Sequence, residues 1–234
     1  MTHPTIAIVC TGGGSAHPNV PVPRHDLVIA ADSGLHVARA LDLRVDLLVG
    51  DLDSVDPEAI GETPVELHRV DKDATDLELA IDAAVARGAQ HIVIIGGSGN
   101  DVGGGDGRLD HLLGELLLLA APRAQTIEAW LGPAWFGVVH GPGTIAIGGR
   151  QGETVTLVPM HGPAAAISTS GLRFPLDHEA LSAGTTRGLS NERLAGPASA
   201  TVGFGTVMVV RPFALESSSH PIIPVAPPVH PLQL

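Results

Sequence analysis

Six aspartates recur in four short polar segments, three of which follow apolar runs and the last a glycine-rich stretch. Asp32 stands in Ala31-Asp32-Ser33-Gly34, and Asp51 and Asp53 in Gly50-Asp51-Leu52-Asp53-Ser54. Asp73 and Asp76 stand in Lys72-Asp73-Ala74-Thr75-Asp76, and Asp110 in Gly107-Arg108-Leu109-Asp110-His111. One such aspartate is an ordinary helix or turn cap, and Asp32, before Ser33-Gly34, or Asp56, before Pro57, could do only that. A series is different, because two carboxylates 4 Å apart repel by roughly 4 kcal/mol at an effective dielectric of 20. A converging set therefore calls for a hard cation. Oxygen ligands without His or Cys favour Mg²⁺, which usually also holds substrate phosphates. The charge distribution agrees: residues 1–125 carry 19 acidic and 8 basic side chains, residues 126–234 only 6 and 5.

Other motifs drop out. No GxxxxGK[ST] occurs, and Gly12-Gly13-Gly14 does not continue as GxGxxG. HExxH, CxxC and GxSxG are also missing, which removes the zinc-protease, zinc-ribbon and α/β-hydrolase readings. Residues 96–107 hold seven glycines and lead into Arg108. Such backbone can approach a phosphate closely, although residues 100–105 read as a floppy surface insert. The histidines show no ligand spacing, and Cys10 reads as a small core residue.

To act together, the aspartates must be carried to one edge. Residues 5–10, 27–31, 47–50, 65–70 and 91–95 are short apolar runs bounded by Gly, Pro or Asp, as strands buried on both faces should be. Helical patterns lie between them at 34–41, 75–87 and 110–120. The second has a Thr75/Glu78 capping box, an apolar stripe and a terminal Gly88. Alternating strands and helices predict a mostly parallel α/β sheet, with ligands beyond the carboxyl ends of its strands. After Pro122 helical stripes vanish. Short strands near 135–140, 144–147, 154–159, 164–169 and 206–211, separated by Gly-Pro turns, predict an antiparallel sandwich. The expected division is an α/β domain at 1–122, a β-sandwich at 123–215 and a disordered Pro-rich tail at 216–234.

Composition narrows the classes further. A net charge of −12 argues against nucleic-acid binding. No apolar run is long enough to span a membrane, and the amino terminus lacks a secretory leader. A single cysteine excludes an internal disulfide and fits a reducing cytoplasm.

In this order, the four aspartate motifs resemble those of the thiamine pyrophosphokinase family. The similarity continues through Val155–Met160 (VTLVPM), Gly171–Leu176 (GLRFPL) and Gly184–Glu192 (GTTRGLSNE), covering about residues 5–211. The resemblance implies a homodimer with an α/β catalytic domain and a thiamine-binding β-sandwich. It implies transfer of a pyrophosphoryl group from ATP to the hydroxyl of thiamine, releasing AMP. Carried over by motif, Asp51, Asp53 and Asp76 would bind Mg²⁺, and Asp32, Asp51, Arg108 and Asp110 would meet ATP with Asp73 beside them. Asp53 or Asp73 would accept the hydroxyl proton, and Ser190 and Asn191 would meet thiamine. Departures from the family pattern are Ser33 for the usual Gly, Leu52 for a common Phe, Glu115 for Asn, and a longer glycine loop. Two other readings fit the same residues: a related pyrophosphokinase acting on another alcohol, such as a hydroxymethyl pterin, and a non-catalytic nucleotide- or thiamine-binding protein.

Overall fold

The computed structural model describes residues 5–96 and 109–216. Its elements run β1 (Thr5–Thr11), β2 (Leu27–Ala31), α1 (Gly34–Ala40), β3 (Leu47–Gly50), α2 (Pro57–Ile60), β4 (Val65–Leu67), α3 (Asp76–Ala86), β5 (Ala89–Gly96) and α4 (Leu109–Leu119). They continue through β6 (Thr126–Leu131), β7 (Ala134–His140), β8 (Gly143–Ala146), β9 (Thr154–Ser170), β10 (Glu179–Leu181), β11 (Asn191–Glu192), β12 (Ser199–Val202) and β13 (Phe204–Arg211).

The first half is a parallel sheet in the order β4-β3-β2-β1-β5-β6. Strands β1, β2, β3 and β5 are buried on both faces over most of their length, which explains their continuous apolar runs, whereas the edge strand β4 is largely exposed. Ala7, Val9, Ile92 and Ile94 pack with α3 on one face, while Ile8, Cys10, Val93 and Ile95 pack with α1 on the other. Helix α3 starts where its capping signal predicts, with the Thr75 Oγ1 accepting from the Glu78 N–H at 3.2 Å. Burial pushes the Cys10 thiol up to about 12, so it stays a neutral core group. Among the described residues no helix is long and apolar enough to cross a membrane.

The second half corrects the expectation of an α/β domain followed by a separate sandwich. The sheet is mixed and continuous. Parallel β6 turns into antiparallel β7, which pairs with β13, then β9, β12 and β8. Phe136, Val138 and Met208 of the antiparallel half join the same apolar cluster as α3. Strand β6 was not foreseen, because Glu128 interrupts its short apolar run. Residues 154–159 and 164–169, read as two strands, are one strand, β9. His161 (φ 58°) and Gly162 (φ 142°) bulge it out: Met160 faces Thr206 and Ala165 faces Phe204, only two residues apart on β13. The His161-Gly162-Pro163 signal thus marks a bend within a strand rather than its end. Residues 97–108 and the tail at 217–234 lie outside the described residues.

Candidate active site

The carboxyl ends of β2, β3 and β4 deliver the acidic loops to one edge. Asp32 leaves β2 in a left-handed conformation (φ 45°), and its N–H donates to the Val49 carbonyl at 2.9 Å, tying the ends of β2 and β3 together. Helix α1 then starts against β1 so closely that a Cβ on Gly34 would lie 2.1 Å from the Cys10 carbonyl oxygen. At the end of β3, Gly50 (φ 151°) sits between two aspartates, and a Cβ there would be 3.1 Å from Asp76 Oδ1 and 3.2 Å from Asp32 Cβ. Only glycine accepts that backbone and leaves that space. Beyond β4, the His68 N–H donates to the Gly50 carbonyl at 2.9 Å, bringing the Lys72–Asp76 segment back over β3.

Oxygen atoms of Asp32, Asp51 and Asp53 converge within 4.8 Å of one another. Asp76 joins them through Lys72, whose Nζ stands 2.6 Å from Asp51 Oδ2 and 3.0 Å from Asp76 Oδ1. The Asp53 N–H donates to Asp51 Oδ1 at 3.3 Å, and the Ser54 hydroxyl to Asp53 Oδ1 at 2.8 Å. Electrostatics follow the geometry. Burial holds the Asp32 carboxyl above its usual range, and the charges of Asp76 and Asp53 add to this against hydrogen bonds from Ser33 and Ser54. The hydrogen bond from Lys72 holds Asp51 below its usual range despite burial. For Lys72 burial works downward, but its bonds to Asp51 and Asp76 outweigh it and the ammonium is held charged. Asp32 Oδ1 is buried without a hydrogen-bond partner, and Asp76 Oδ1, buried beside it, is met by the Lys72 ammonium. A buried acceptor left without a partner, in an all-oxygen donor set, is what a hard dication satisfies.

Asp73 is exposed in the turn before the Thr75 cap and is not one of the converging carboxylates. Asp110 lies in the first turn of α4, and Arg108 falls outside the described residues. Ser190 and Asn191 belong to the antiparallel half. Ser190 is exposed with φ 54°, and its N–H donates to Thr156 Oγ1 at 3.1 Å. Asn191 is buried, and its amide is engaged by backbone: Oδ1 accepts from Phe174 N and Glu192 N, and Nδ2 donates to the Phe174 carbonyl. Lys72 was missed as a site residue. The available signal was a single lysine amid aspartates, but its pairing with Asp51 spans 21 residues and depends on the return of the chain after β4.

Comparison with known proteins bears on both halves. Residues 22–131 match the family model described as thiamin pyrophosphokinase, catalytic domain. Residues 144–208 match the one described as thiamin pyrophosphokinase, vitamin B1 binding domain. A thiamine pyrophosphokinase of Bacillus subtilis is 26% identical over 216 residues, spanning 88% of this chain and 98% of that protein. A crystal structure of thiamin pyrophosphokinase from Geobacillus thermodenitrificans is 27% identical with a TM-score of 0.71, covering 92% of this chain and 99% of that one. The crystal structure of the Bacillus subtilis enzyme superposes with a TM-score of 0.72 at 24% identity, covering 88% of this chain and 98% of that one. With two matched segments that take in both halves and the aspartate edge between β2 and α3, the chain belongs to the thiamin pyrophosphokinase family.

Proposed function

We propose that the chain transfers the pyrophosphoryl group of ATP to the hydroxyl of thiamine, releasing AMP and thiamine diphosphate, with Mg²⁺ at the aspartate edge. The observation that carries this reading is the convergence of Asp32, Asp51 and Asp53 within 4.8 Å, with an orphaned buried oxygen on Asp32. Asp51, Asp53 and Asp76 would hold the ion, Asp32 would complete the acidic wall, and Arg108 and Asp110 would flank the nucleotide. When bound, the ion supplies positive charge to the phosphates and offsets the carboxylates around them.

The protein's own groups do the rest. Pyrophosphoryl transfer needs alignment and charge stabilisation more than covalent chemistry, so the fixed strand ends are suited to it. A carboxylate bound to a dication is a weak base. That consideration favours Asp73, exposed at the rim, to take the proton of the attacking hydroxyl, with Asp53 kept for the ion. Ser190, exposed in the antiparallel half, would meet the acceptor, and Asn191 would hold the loop beside it. Leu109, Leu113 and Leu117 form an exposed apolar stripe along α4, 65%, 58% and 46% accessible. A second copy covering such a face would make a homodimer.

The test is direct. Purified protein given Mg²⁺, ATP and thiamine should form equal amounts of AMP and thiamine diphosphate. Release of ADP, or turnover only with another alcohol such as a hydroxymethyl pterin, would overturn the assignment.

A further inference from the structure

One charged group at the cluster has no part in the chemistry above. Lys72 is the only lysine in the chain, and its side chain is 16% exposed. Its ammonium bridges Asp51 Oδ2 and Asp76 Oδ1. Asp51 is also one of the three carboxylates that converge within 4.8 Å. The same carboxylate is therefore claimed by an ammonium and by the place where a dication would be held.

We propose that Lys72 is a tethered counter-ion. It neutralises Asp51 and Asp76 when the site holds no metal, yields both to the metal, and then offers its ammonium to the phosphates of the nucleotide. This deepens the metal–nucleotide reading of the site and rests on it. Three features support it. Four carboxylates at one edge would repel strongly with no cation present, and among the described residues Lys72 puts its ammonium between two of them. A lysine is a compact charge on a flexible stem, and so can leave one anion for another more readily than the rigid fork of an arginine. Lys72 is also attached just before the Thr75 cap of α3, so its side chain can swing while the helix start stays in place.

A single lysine makes the experiment clean. Protein labelled with ¹⁵N-lysine should give one Nζ signal, which Mg²⁺ alone should move and Mg²⁺ with a non-hydrolysable ATP analogue should move again. Calorimetry with Mg²⁺ alone should show Lys72→Met binding the ion roughly 3- to 30-fold more tightly than wild type, because an internal competitor is gone. The variant should bind the Mg²⁺-loaded ATP analogue about 10-fold more weakly. Opposite signs for the two ligands are the signature of exchange. An Nζ signal that stays fixed while calorimetry detects saturating Mg²⁺ would overturn the proposal, as would affinities for both ligands that fall together. If wild-type protein binds no Mg²⁺ at all, the metal reading itself fails, and that outcome is separate from the other two. The wild-type spectrum keeps the test decisive even if the variant does not fold.

Discussion

The side-chain amide of Asn191 serves both backbone groups of Phe174: Oδ1 accepts from its N–H at 3.0 Å, and Nδ2 donates to its carbonyl at 2.8 Å. Oδ1 also accepts from the Glu192 N–H at 2.8 Å, and the residue is only 8% exposed. Both oxygen lone pairs are thus committed, and Arg173, stacked on the Phe174 ring, reinforces the loop through its 2.9 Å pair with Glu192. Asn191→Ala should lower stability by about 2 kcal/mol, since three partly buried hydrogen bonds are lost together. Thermal unfolding would show this. Ser190→Ala, at an exposed position, should leave the melting temperature nearly unchanged while raising the KM for thiamine. An equal loss of stability in both variants would contradict this division.

Asp53 and Asp73 should separate in kinetics and in metal binding. Asp73→Asn should reduce kcat by roughly 100- to 10,000-fold, the range of a lost general base, and leave Mg²⁺ affinity intact. Asp53→Asn should weaken Mg²⁺ binding itself. Calorimetry on both variants decides, and full activity in Asp73→Asn would remove that residue from proton transfer.

Gly50→Ala tests the wedge between Asp32 and Asp76. A methyl group would meet Asp76 Oδ1 at 3.1 Å in a backbone conformation that side chains avoid. The combined strain and displacement should cost about 1–3 kcal/mol. Activity should fall further than stability, because the displaced groups are the carboxylates. A variant with unchanged Mg²⁺ affinity would show that their spacing is not critical.

Burial alone raises the Glu115 carboxyl on α4 to about 7. Its sign is unfavourable at high pH. Below about pH 4.5 the group is neutral in both folded and unfolded chains. Between there and pH 7 the unfolded chain ionises while the folded one keeps its proton, so stability falls as pH rises, and above pH 7 the full penalty remains. Glu115→Gln should therefore flatten the decline between pH 5 and 8 and stabilise the protein at pH 8 by about 2 kcal/mol. Parallel pH–stability curves for the two proteins would refute it.

The parallel half could be read along the chain because its signals are local. Leu27–Ala31 and Leu47–Gly50 are continuous apolar runs with the bounds expected, and Thr75 caps α3 as its spacing implies. Glu78, the other half of that box, instead pairs with Arg123, a partner 45 residues away. Distance is the common cause of what was missed. The bend in β9 depends on pairing with β13, and Lys72 reaches Asp51 only once β3 and β4 are side by side. Asn191 was legible as a polar loop residue, but its buried clamp on Phe174 needs the fold. The aspartate series could be found because Asp32, the Asp51/Asp53 pair and the Asp73/Asp76 pair come after the successive strands β2, β3 and β4.

The unbroken run of strands from β4 to β8 also has a mechanical meaning. Many enzymes that move phosphate groups swing two lobes shut about a flexible strap. Here the join is a ladder: Glu128–Leu131 of β6 pairs with β7, and β7 pairs through six residues with β13. Flexing one half against the other would pull several main-chain hydrogen bonds apart at once, so the molecule behaves as a stiff beam. Any gating that shields the reaction from water then falls to segments that overhang the beam, and the two substrates must reach it along surfaces whose spacing was set when the chain folded.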